Sequence, residues 1–379
     1  MVDLAFWISA AILFYVCIGY PALLAVLAMF CRRPRSDLEY LPSVSMLIAA
    51  YNEEANIARK IQQTLDLQYP PDKLEILVVS DGSSDNTDSI VQSFTDPRVR
   101  LLRIEERRGK THAQNRGVQQ CQGEIIVFSD ATTVYHPKAI LYLASNYKDG
   151  AVGAVSGRYK YFDPEGDSPT GLGTIAFWNY ENLIKKLQSR IRTITGCSGC
   201  IYSVRKSQYT PLPDDSCSDL VEPLHTITNG YRVVFEERAL AYEQTTKSTA
   251  EEFGMRVRVV TQGIRGVMSL PELLNFRKYG WVSLQLFSHK ILRWLVPYLL
   301  IILFATNAAL IDHVGFRYFF LLQVAFYTFG LISIVVPLHR RWRPLSIPLY
   351  FCTLNAAAML SVIEVFRGTK YVCWETVRK

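Results

Sequence analysis

Four long apolar stretches constrain this chain more than any other feature of its sequence. A helix that crosses a membrane needs about 20 consecutive, mainly apolar residues. Four stretches of that length contain no charged residue, namely Leu4–Cys31, Trp294–Ile311, Tyr318–Leu338 and Leu345–Ile363. Pro348 and Asn355 interrupt the last stretch, which is therefore the weakest of the four. The sequence thus predicts one N-terminal and about three C-terminal membrane helices.

Clusters of basic residues predict the orientation of these helices, because lysine and arginine are retained on the cytoplasmic side. Three clusters agree on that side for the segment after the first helix: Arg32, Arg33 and Arg35; His289, Lys290 and Arg293; and His339, Arg340, Arg341 and Arg343. No basic region precedes the first stretch, so we interpret it as a retained anchor and not as a signal peptide. Four crossings would place the tail outside, yet the tail is basic at Arg367, Lys370, Arg378 and Lys379. A re-entrant or interfacial last segment is the alternative.

Charge and cysteine usage narrow the class of protein further. The net charge is +7, with much of the excess beside the apolar stretches, where basic residues suit anionic lipid headgroups. We therefore expect a membrane as partner and no nucleic acid. The eight cysteines are scattered, which is typical of a reducing compartment. Cys197 and Cys200 form a lone CxxC, which we interpret as a glycine-containing turn in preference to a metal or redox site.

Between the first two apolar stretches, short apolar runs alternate with amphipathic ones. The predicted strands are Val44–Ala50, Ile76–Ser80, Val99–Arg103 and Ile125–Ser129, and the predicted helices are Asn56–Leu67, Thr87–Phe94, Thr111–Cys121 and Lys138–Tyr147. This alternation predicts βαβ units and an α/β fold with a mostly parallel sheet. Ligands of such sheets bind beyond the carboxyl ends of the strands.

The remainder of the chain is less regular over residues 171–245. Gly196–Val204 is typical of a turn leading into a strand, Pro211–Asp219 of a polar loop before a helix, and Arg232–Ala241 of a strand. Residues 250–290 predict amphipathic helices on the membrane surface. We therefore divide the chain into an anchor, an α/β domain, interfacial helices, C-terminal membrane helices and a tail, at 1–31, 40–248, 249–290, 291–366 and 367–379.

Polar residues collect at the predicted carboxyl edge of the sheet. Asp130 follows a buried strand, where a carboxylate suits a divalent cation that bridges two phosphates; helix capping is the alternative. Asp81 lies in the run Asp-Gly-Ser-Ser-Asp, which is also good turn chemistry. Lys110, between a glycine and a helix, is either a phosphate ligand or a solvated lysine. Each of these residues alone has a structural explanation, and only their combination favours a ligand-binding site.

Five motifs follow one another between about residues 42 and 270. They are Ala50-Tyr51-Asn52-Glu53, Val79–Asp85, Gly109–Asn115, Ser129-Asp130-Ala131-Thr132-Thr133 and Ser218-Asp219. In order and spacing they resemble the family 2 glycosyltransferases of the cellulose synthase-like group, which includes hyaluronan, chitin and poly-N-acetylglucosamine synthases. The resemblance implies a GT-A fold, Rossmann-like with a mostly parallel sheet, in the cytoplasm beside a bacterial-type cell membrane.

The resemblance also implies roles for the matching residues. The donor-nucleotide ligands would be Ala50, Tyr51, Glu53, Asp81, Lys110, Asp130 and Arg258. The acceptor ligands would be Gly196, Gly199 and Cys200, and the ligands of Mg²⁺ or Mn²⁺ would be Asp130 and Thr132. Asp219 would be the catalytic base, which deprotonates the acceptor hydroxyl in an inverting transfer. Asp214 and Asp215 are nearby rivals for this role.

Two departures from the family pattern bear on these roles. Thr132 replaces the second carboxylate of the Asp-x-Asp motif, which leaves the metal site one carboxylate short. The family's Gln-x-x-Arg-Trp motif corresponds to Met255–Val259, which keeps only Arg258. The missing tryptophan, with only three C-terminal helices, argues against processive synthesis through a self-formed channel.

We therefore expect an inverting membrane glycosyltransferase that uses a nucleotide-diphosphate sugar, UDP-linked by preference. The acceptor would be a polysaccharide or a lipid-linked glycan, and further partners would be a second copy of the chain or polysaccharide-export proteins. The alternative is a polyprenyl-phosphate sugar synthase, whose basic patch would be Arg256, Arg258, Arg265, Arg277 and Lys278. The uncharged apolar stretches disfavour a channel or transporter, and their presence excludes a soluble nucleotidyltransferase.

Overall fold

The computed structural model describes residues 1–31, 36–162, 168, 171–246, 248–336 and 342–373. Several basic residues used to predict orientation lie outside the described part of the chain, namely Arg32, Arg33, Arg35, His339, Arg340, Arg341, Arg378 and Lys379, together with the side chain of Arg343.

The N-terminal apolar stretch is one helical segment. It consists of α1 (Val2–Phe14), a π-helical turn (Tyr15–Gly19) and α2 (Tyr20–Met29). Its 28 residues are long and apolar enough to cross a membrane.

An eight-stranded sheet forms the centre of the domain that follows. Its strands are β1 (Val44–Ala50), β2 (Leu74–Asp81), β3 (Val99–Ile104), β4 (Ile125–Asp130), β5 (Val134–Tyr135), β6 (Val152–Phe162), β7 (Ile201–Arg205) and β8 (Arg232–Gln244), in the order β3-β2-β1-β4-β7-β6-β8-β5. Strands β1 to β4 are parallel, whereas β7 is antiparallel to both of its neighbours. All seven residues of β1 are buried, as its mainly apolar sequence and its place in the middle of the sheet require.

The predicted alternation of strands and helices in the first part of the domain is confirmed. The helices between the strands are α3 (Ile57–Leu65), α4 (Thr87–Gln92), α5 (Lys110–Gln120) and α6 (Ala139–Ser145), with 3₁₀ turns at Pro71–Lys73 and Asn146–Lys148. Apolar side chains of α3 and α6 pack on one face of the sheet, and those of α5 pack on the other. The sheet is therefore covered on both faces, as a parallel sheet must be.

The expectation of less regular structure was wrong for the start of residues 171–245. Gly171–Ile191 forms a helix of 21 residues, α7, and the 11-residue strand β6 before it was not predicted. Helix α7 buries Glu181, Lys185 and Gln188, so its polar residues do not mark a solvent-facing side. The amphipathic period that identifies helices in a sequence is consequently absent.

The remaining helices connect the sheet to the apolar segments. They are α8 (Ser218–Thr228), α9 (Thr249–Met268), α10 (Phe276–Tyr279), α11 (Trp281–Leu286), α12 (Leu292–Ala309), α13 (Val314–Val335) and α14 (Ser346–Phe366), with 3₁₀ turns at Lys206–Gln208, Pro271–Leu274 and Arg343–Leu345 and a π-helical turn at Phe287–Ile291. With the N-terminal segment, the described chain holds four helices of spanning length and apolarity, the others being Trp281–Ala309, Val314–Val335 and Ser346–Phe366. The segment Trp281–Ala309 begins before residue 291, where the sequence predicts the start of the C-terminal membrane helices. Its first residues belong to the α/β domain, because Val282 and Leu286 pack in the domain core.

The N-terminal helical segment packs against the C-terminal apolar helices near both of its ends. Phe6, near the start of the N-terminal segment, packs with Leu310 and Phe316, which flank the turn between α12 and α13. At the other end, the Tyr15 hydroxyl hydrogen-bonds to Ser288 Oγ at 2.8 Å, and Gln188 of α7 donates to the Tyr20 hydroxyl at 2.8 Å. The domain therefore lies at one end of this helix bundle.

Helix α14 follows a different path, alongside α9. The Arg256 side chain donates to the Tyr350 hydroxyl at 2.9 Å, and the Ser361 hydroxyl donates to the backbone carbonyl of Val257 at 3.1 Å. Beyond the helix, Gln262 donates to the backbone carbonyl of Tyr371 at 2.7 Å. Both ends of α14 thus lie beside a helix that packs on the α/β domain, and the segment after α14 returns to that domain.

Candidate active site

A cavity of about 230 Å³ opens at the carboxyl ends of β1 and β4. Chain order reverses between these two strands, and such a switch point is where open α/β sheets bind ligands. In the register of the sheet Ala49 lies opposite Asp130, and both residues line the cavity. The cavity brings together seven of the residues that the sequence predicts for the site: Glu53, Lys110, Asp130, Thr132, Gly199, Asp219 and Arg258.

The other site residues predicted from the sequence are not among the residues that line the cavity. Asp81 is fully buried, and its carboxylate accepts hydrogen bonds from the backbone N–H groups of Arg108, at 3.0 Å, and Gly109, at 2.7 Å. Asp81 therefore supports the loop that leads to Lys110. Tyr51 lies next to this loop, with its ring centroid 3.8 Å from the Arg107 guanidinium.

Ala50, Gly196 and Cys200 also lie outside the cavity lining. Ala50 and Cys200 are fully buried, and a Cβ added at Gly196 would contact Leu220 at 3.2 Å. The predicted ligand roles of these three residues, like those of Tyr51 and Asp81, stay predictions.

One part of the cavity is formed by the start of α5. Gly109 precedes this helix with a φ of 98°, a conformation that glycine adopts without strain. Lys110, the first helical residue, contacts the carboxylate of Asp130. Burial acts to lower the pKa of Lys110, but the nearby Asp130 carboxylate outweighs it and raises the pKa above its ordinary value. A lysine that stays charged and a helix N-terminus together attract an anionic group.

The loop after β4 is fixed by two residues from distant elements. The hydroxyl of Thr132 donates to one carboxylate oxygen of Glu243 at 3.0 Å, and the hydroxyl of Thr133 donates to the other at 3.3 Å. On the opposite side, the ammonium of Lys60 donates to the backbone carbonyl of Thr133 at 2.8 Å. Burial lowers the pKa of Lys60 to about 7.

Asp219 lines the same cavity from the first turn of α8. The Cys217 thiol donates to Asp219 Oδ1 at 2.9 Å, and a Cβ added at Gly199 would lie 2.8 Å from Oδ2. Within the described part of the chain, no cationic group lies within ion-pair distance of this carboxylate. The Asp219 carboxylate therefore lines the cavity with the Cys217 thiol as its side-chain hydrogen-bond donor.

The two rival carboxylates are engaged elsewhere. Asp214 forms an ion pair with Arg108 at 2.9 Å and a hydrogen bond with His112 Nδ1 at 3.2 Å. Asp215 pairs with Arg265 at 3.4 Å and with Lys370 at 3.7 Å. These contacts favour Asp219 over both rivals for proton transfer.

The CxxC segment, Cys197–Cys200, is the turn that leads into β7, and it contacts Asp219. The backbone N–H of Cys197 donates to the carbonyl of Asp219 at 2.7 Å, and the N–H of Cys200 donates to the Tyr159 hydroxyl at 3.0 Å. Burial raises the pKa of both thiols, so they stay protonated at neutral pH. The segment supports the position of Gly199 against Asp219.

One wall of the cavity comes from outside the α/β domain. Met255, Arg258, Val259 and Gln262 of α9 line it, together with Val372 and Cys373 from the segment after α14. A Cβ added at Gly109 would contact the backbone carbonyl of Val372, so this segment passes directly over the start of α5. Arg258 therefore lines the cavity from α9, and its role as a donor ligand stays a prediction.

The sequence analysis did not identify Glu243, Gln262 or the segment at Val372 as lining residues. Glu243 could have been predicted from the sequence, because it is a carboxylate near the end of a strand, as Asp130 is. The segment at Val372 could not have been predicted, since only the path of α14 brings it to the cavity.

Comparisons with known proteins agree with this geometry. Residues 45–209 match the model of the family described as "Glycosyl transferase family 2". Over 270 residues the chain is 26% identical to the poly-beta-1,6-N-acetyl-D-glucosamine synthase of Staphylococcus aureus (strain COL), covering 68% of this chain and 64% of that one. The synthase of the same name from Staphylococcus epidermidis is 28% identical over 231 residues, or 59% and 55% of the two chains. The chain thus spans less than two thirds of the length of these relatives.

A solved structure shows the same fold over almost the whole chain. It is the mannosyltransferase PcManGT of Pyrobaculum calidifontis, determined in complex with GDP-Man and Mn²⁺. The TM-score is 0.74, with 20% identity, and the match covers 97% of this chain and 100% of that one. The predicted GT-A fold, with its mostly parallel sheet and added apolar helices, is therefore confirmed.

Proposed function

We propose that the chain, whose residues 45–209 match the model of glycosyl transferase family 2, is an inverting, membrane-bound glycosyltransferase. In this proposal it takes a sugar from a nucleotide-diphosphate donor, UDP-linked by preference, and transfers it to a polysaccharide or lipid-linked glycan. The chain's similarity to synthases named for poly-beta-1,6-N-acetyl-D-glucosamine supports a glycan product.

The observation that carries the proposal is the set of side chains that line one cavity. Lys110 lines it from the start of α5, Asp130 from the end of β4 and Asp219 from α8, and Asp219 has no cationic partner within ion-pair distance among the described residues. An inverting transfer needs a base as well as groups that hold the diphosphate, because the acceptor hydroxyl attacks the anomeric carbon opposite the leaving diphosphate. Asp219 would take the proton of that hydroxyl.

The donor diphosphate fits the side formed by α5. The N-terminal N–H groups of a helix bind phosphate, and the ammonium of Lys110 adds a full positive charge there. Arg258 faces the same cavity from α9 and would stabilise negative charge on the leaving group.

The residues also fit the divalent cation that family 2 enzymes use. Among the described residues no group of three or more His, Cys, Asp or Glu side chains is placed to hold a metal ion, but Mg²⁺ is commonly held by one or two carboxylates together with substrate phosphates. Glu53, Asp130, Asp219 and Glu243 line the cavity against the cations Lys110 and Arg258. A diphosphate in this acidic cavity requires an added cation. Asp130 and Thr132 would hold Mg²⁺ or Mn²⁺, which neutralises charge on the leaving group.

The structure does not strengthen the case for a polyprenyl-phosphate acceptor. Arg256 of the predicted basic patch is buried in an ion pair with Glu252 at 2.8 Å, and Arg265 pairs with Asp215. Two of the five patch residues are therefore already engaged by carboxylates. A glycan acceptor stays the preferred proposal.

The orientation in the membrane follows from the donor. Sugar nucleotides are cytoplasmic, so the α/β domain and the ends of α2 and α11 beside it would face the cytoplasm. Because both ends of α14 lie beside α9, the segment that contains Cys373 would face the same side. Gly315, in the turn between α12 and α13, would lie outside.

The central experiment measures nucleoside diphosphate release by the purified chain with a panel of UDP- and GDP-sugars and Mn²⁺. We expect one donor to give release that depends on an added glycan acceptor, and excess EDTA to abolish it. Asp130→Ala should have the same effect as EDTA, whereas Asp72→Ala, in an exposed turn, should be as active as wild type. Failure of both UDP and GDP to bind would contradict the proposed function, and full activity in EDTA would contradict the metal.

Thiol labelling tests the orientation. A cysteine at Gly315 should react with a membrane-impermeant reagent in intact cells, while a cysteine at exposed Glu39 should react only after permeabilisation. Native Cys373 should behave as Glu39→Cys does. Labelling of Cys373 in intact cells would mean that α14 crosses the bilayer.

A further inference from the structure

The carboxylate that is missing from the metal motif has a structural replacement. The loop after β4 contains Asp130 and then Thr132 where the family pattern has a second aspartate. Thr132 is not isolated, because its hydroxyl donates to Glu243 at 3.0 Å. Glu243 lines the same cavity as Asp130 and comes from β8, more than 100 residues later in the chain.

Strand pairing fixes Glu243 at this position. Strand β5, which directly follows the loop, pairs antiparallel with β8, with Val134 opposite Tyr242 and Tyr135 opposite Ala241. Continuing this register by one residue sets Thr133 opposite Glu243, and the hydroxyl of Thr133 donates to Glu243 at 3.3 Å. The backbone therefore holds the carboxylate against the loop independently of the side-chain contacts.

Glu243 is a buried carboxylate beside the loop that contains Thr132. Its side chain is 4% exposed, and burying a carboxylate is unfavourable unless charge and hydrogen bonds compensate it. Its oxygens accept hydrogen bonds from the hydroxyls of Thr132 and Thr133. A divalent cation beside Asp130 would compensate the charge of both carboxylates.

We propose that Glu243 is the second carboxylate ligand of the divalent cation and replaces the missing aspartate of the motif. This inference rests on the proposed glycosyltransferase function, and it names a residue that neither the motif nor the resemblance assigns. The hard cations Mg²⁺ and Mn²⁺ bind carboxylate oxygens, so two carboxylates and a hydroxyl, with diphosphate oxygens, form a suitable ligand set.

The test is a titration of Mn²⁺ into the purified full-length protein with saturating UDP or GDP, whichever binds, with free Mn²⁺ followed by electron paramagnetic resonance. Glu243→Gln should raise the Kd of Mn²⁺ on the order of ten- to a hundredfold and leave the unfolding temperature near that of wild type. Thr132→Asp in the Glu243→Gln background should restore tight binding, because it returns a carboxylate to the loop.

The matched control separates a metal ligand from a residue that only positions the loop. Thr133→Val removes one hydrogen bond from Glu243 but keeps its carboxylate, and it should leave the Kd of Mn²⁺ unchanged. Wild-type Mn²⁺ affinity in Glu243→Gln, or an equal loss in Thr133→Val, would overturn the inference. Neither result affects donor cleavage by the wild-type protein, so failure of this inference is distinguishable from failure of the proposed function.

Discussion

The two sides of the cavity are held together by different kinds of contact. The side around Asp130 is part of four parallel strands, whose register fixes Ala49 opposite Asp130. The side around Asp219 depends on single contacts between distant segments, such as the hydrogen bond from Cys197 to the Asp219 carbonyl and that from Gln262 to Tyr371. A sheet resists local change, whereas a set of single contacts does not. Substitutions near Asp219 should therefore alter transfer while donor binding is preserved.

Asp219→Asn should give the largest difference between the effect on transfer and the effect on donor binding. The variant keeps the shape of the side chain but cannot accept the proton of the acceptor, so transfer should fall about 10²-fold or more. The Kd of the donor nucleotide, measured by calorimetry, should equal that of wild type. Asp215→Asn is the control and should stay active, since its carboxylate pairs with Arg265. An active Asp219→Asn would contradict the assignment of the base.

Gly199→Ala should have a smaller effect through the same carboxylate. The added Cβ would lie 2.8 Å from Asp219 Oδ2, so the carboxylate must move, and a misplaced catalytic group lowers kcat by roughly tenfold or more. The donor Kd should again be unchanged. Gly150→Ala is the matched control, because no heavy atom lies within 4 Å of the added Cβ. If both variants have wild-type kcat, the contact between Gly199 and Asp219 does not limit catalysis.

Glu222→Gln should affect stability rather than transfer. Glu222 lies one turn after Asp219 in α8 and is fully buried, with no ion-pair partner among the described residues. Burial raises the pKa of Glu222 from 4.5 to about 8. Between these values the folded state holds a proton that the unfolded state has released, so the free energy of unfolding falls as pH rises, by about 1.4 kcal/mol per pH unit.

Glutamine does not titrate, so the advantage of Glu222→Gln over wild type should grow from pH 5 to pH 8.5. Unfolding temperatures of both proteins at these two pH values measure it, and Glu39→Gln, at an exposed position, serves as control. An advantage that is the same at both pH values would show that Glu222 is charged in the folded protein.

The same division between the two sides explains what was predictable from the sequence. Val44–Ala50 and Ile125–Ser129 are short, mainly apolar runs that alternate along the chain with amphipathic stretches, and this local pattern alone identifies them as strands. Helix α7 buries Glu181 and Lys185, so its pattern does not distinguish inside from outside. Glu243 meets Thr132 only through the pairing of β5 with β8, a contact of long sequence separation that no local signal records.

The cavity wall formed by α9 and Val372 connects the active site to the lipid. Helix α14, which precedes the segment that contains Val372, packs against the apolar helices, where the Tyr298 hydroxyl donates to the carbonyl of Met359 at 3.1 Å. Membrane helices accommodate a mismatch with bilayer thickness by tilting or kinking, among other adjustments. A thinner or thicker membrane should therefore shift the wall that bears Arg258 while β4 and Asp130 stay in place. We expect turnover to depend on acyl-chain length for this reason, and rates in vesicles of short- and long-chain lipids would measure it.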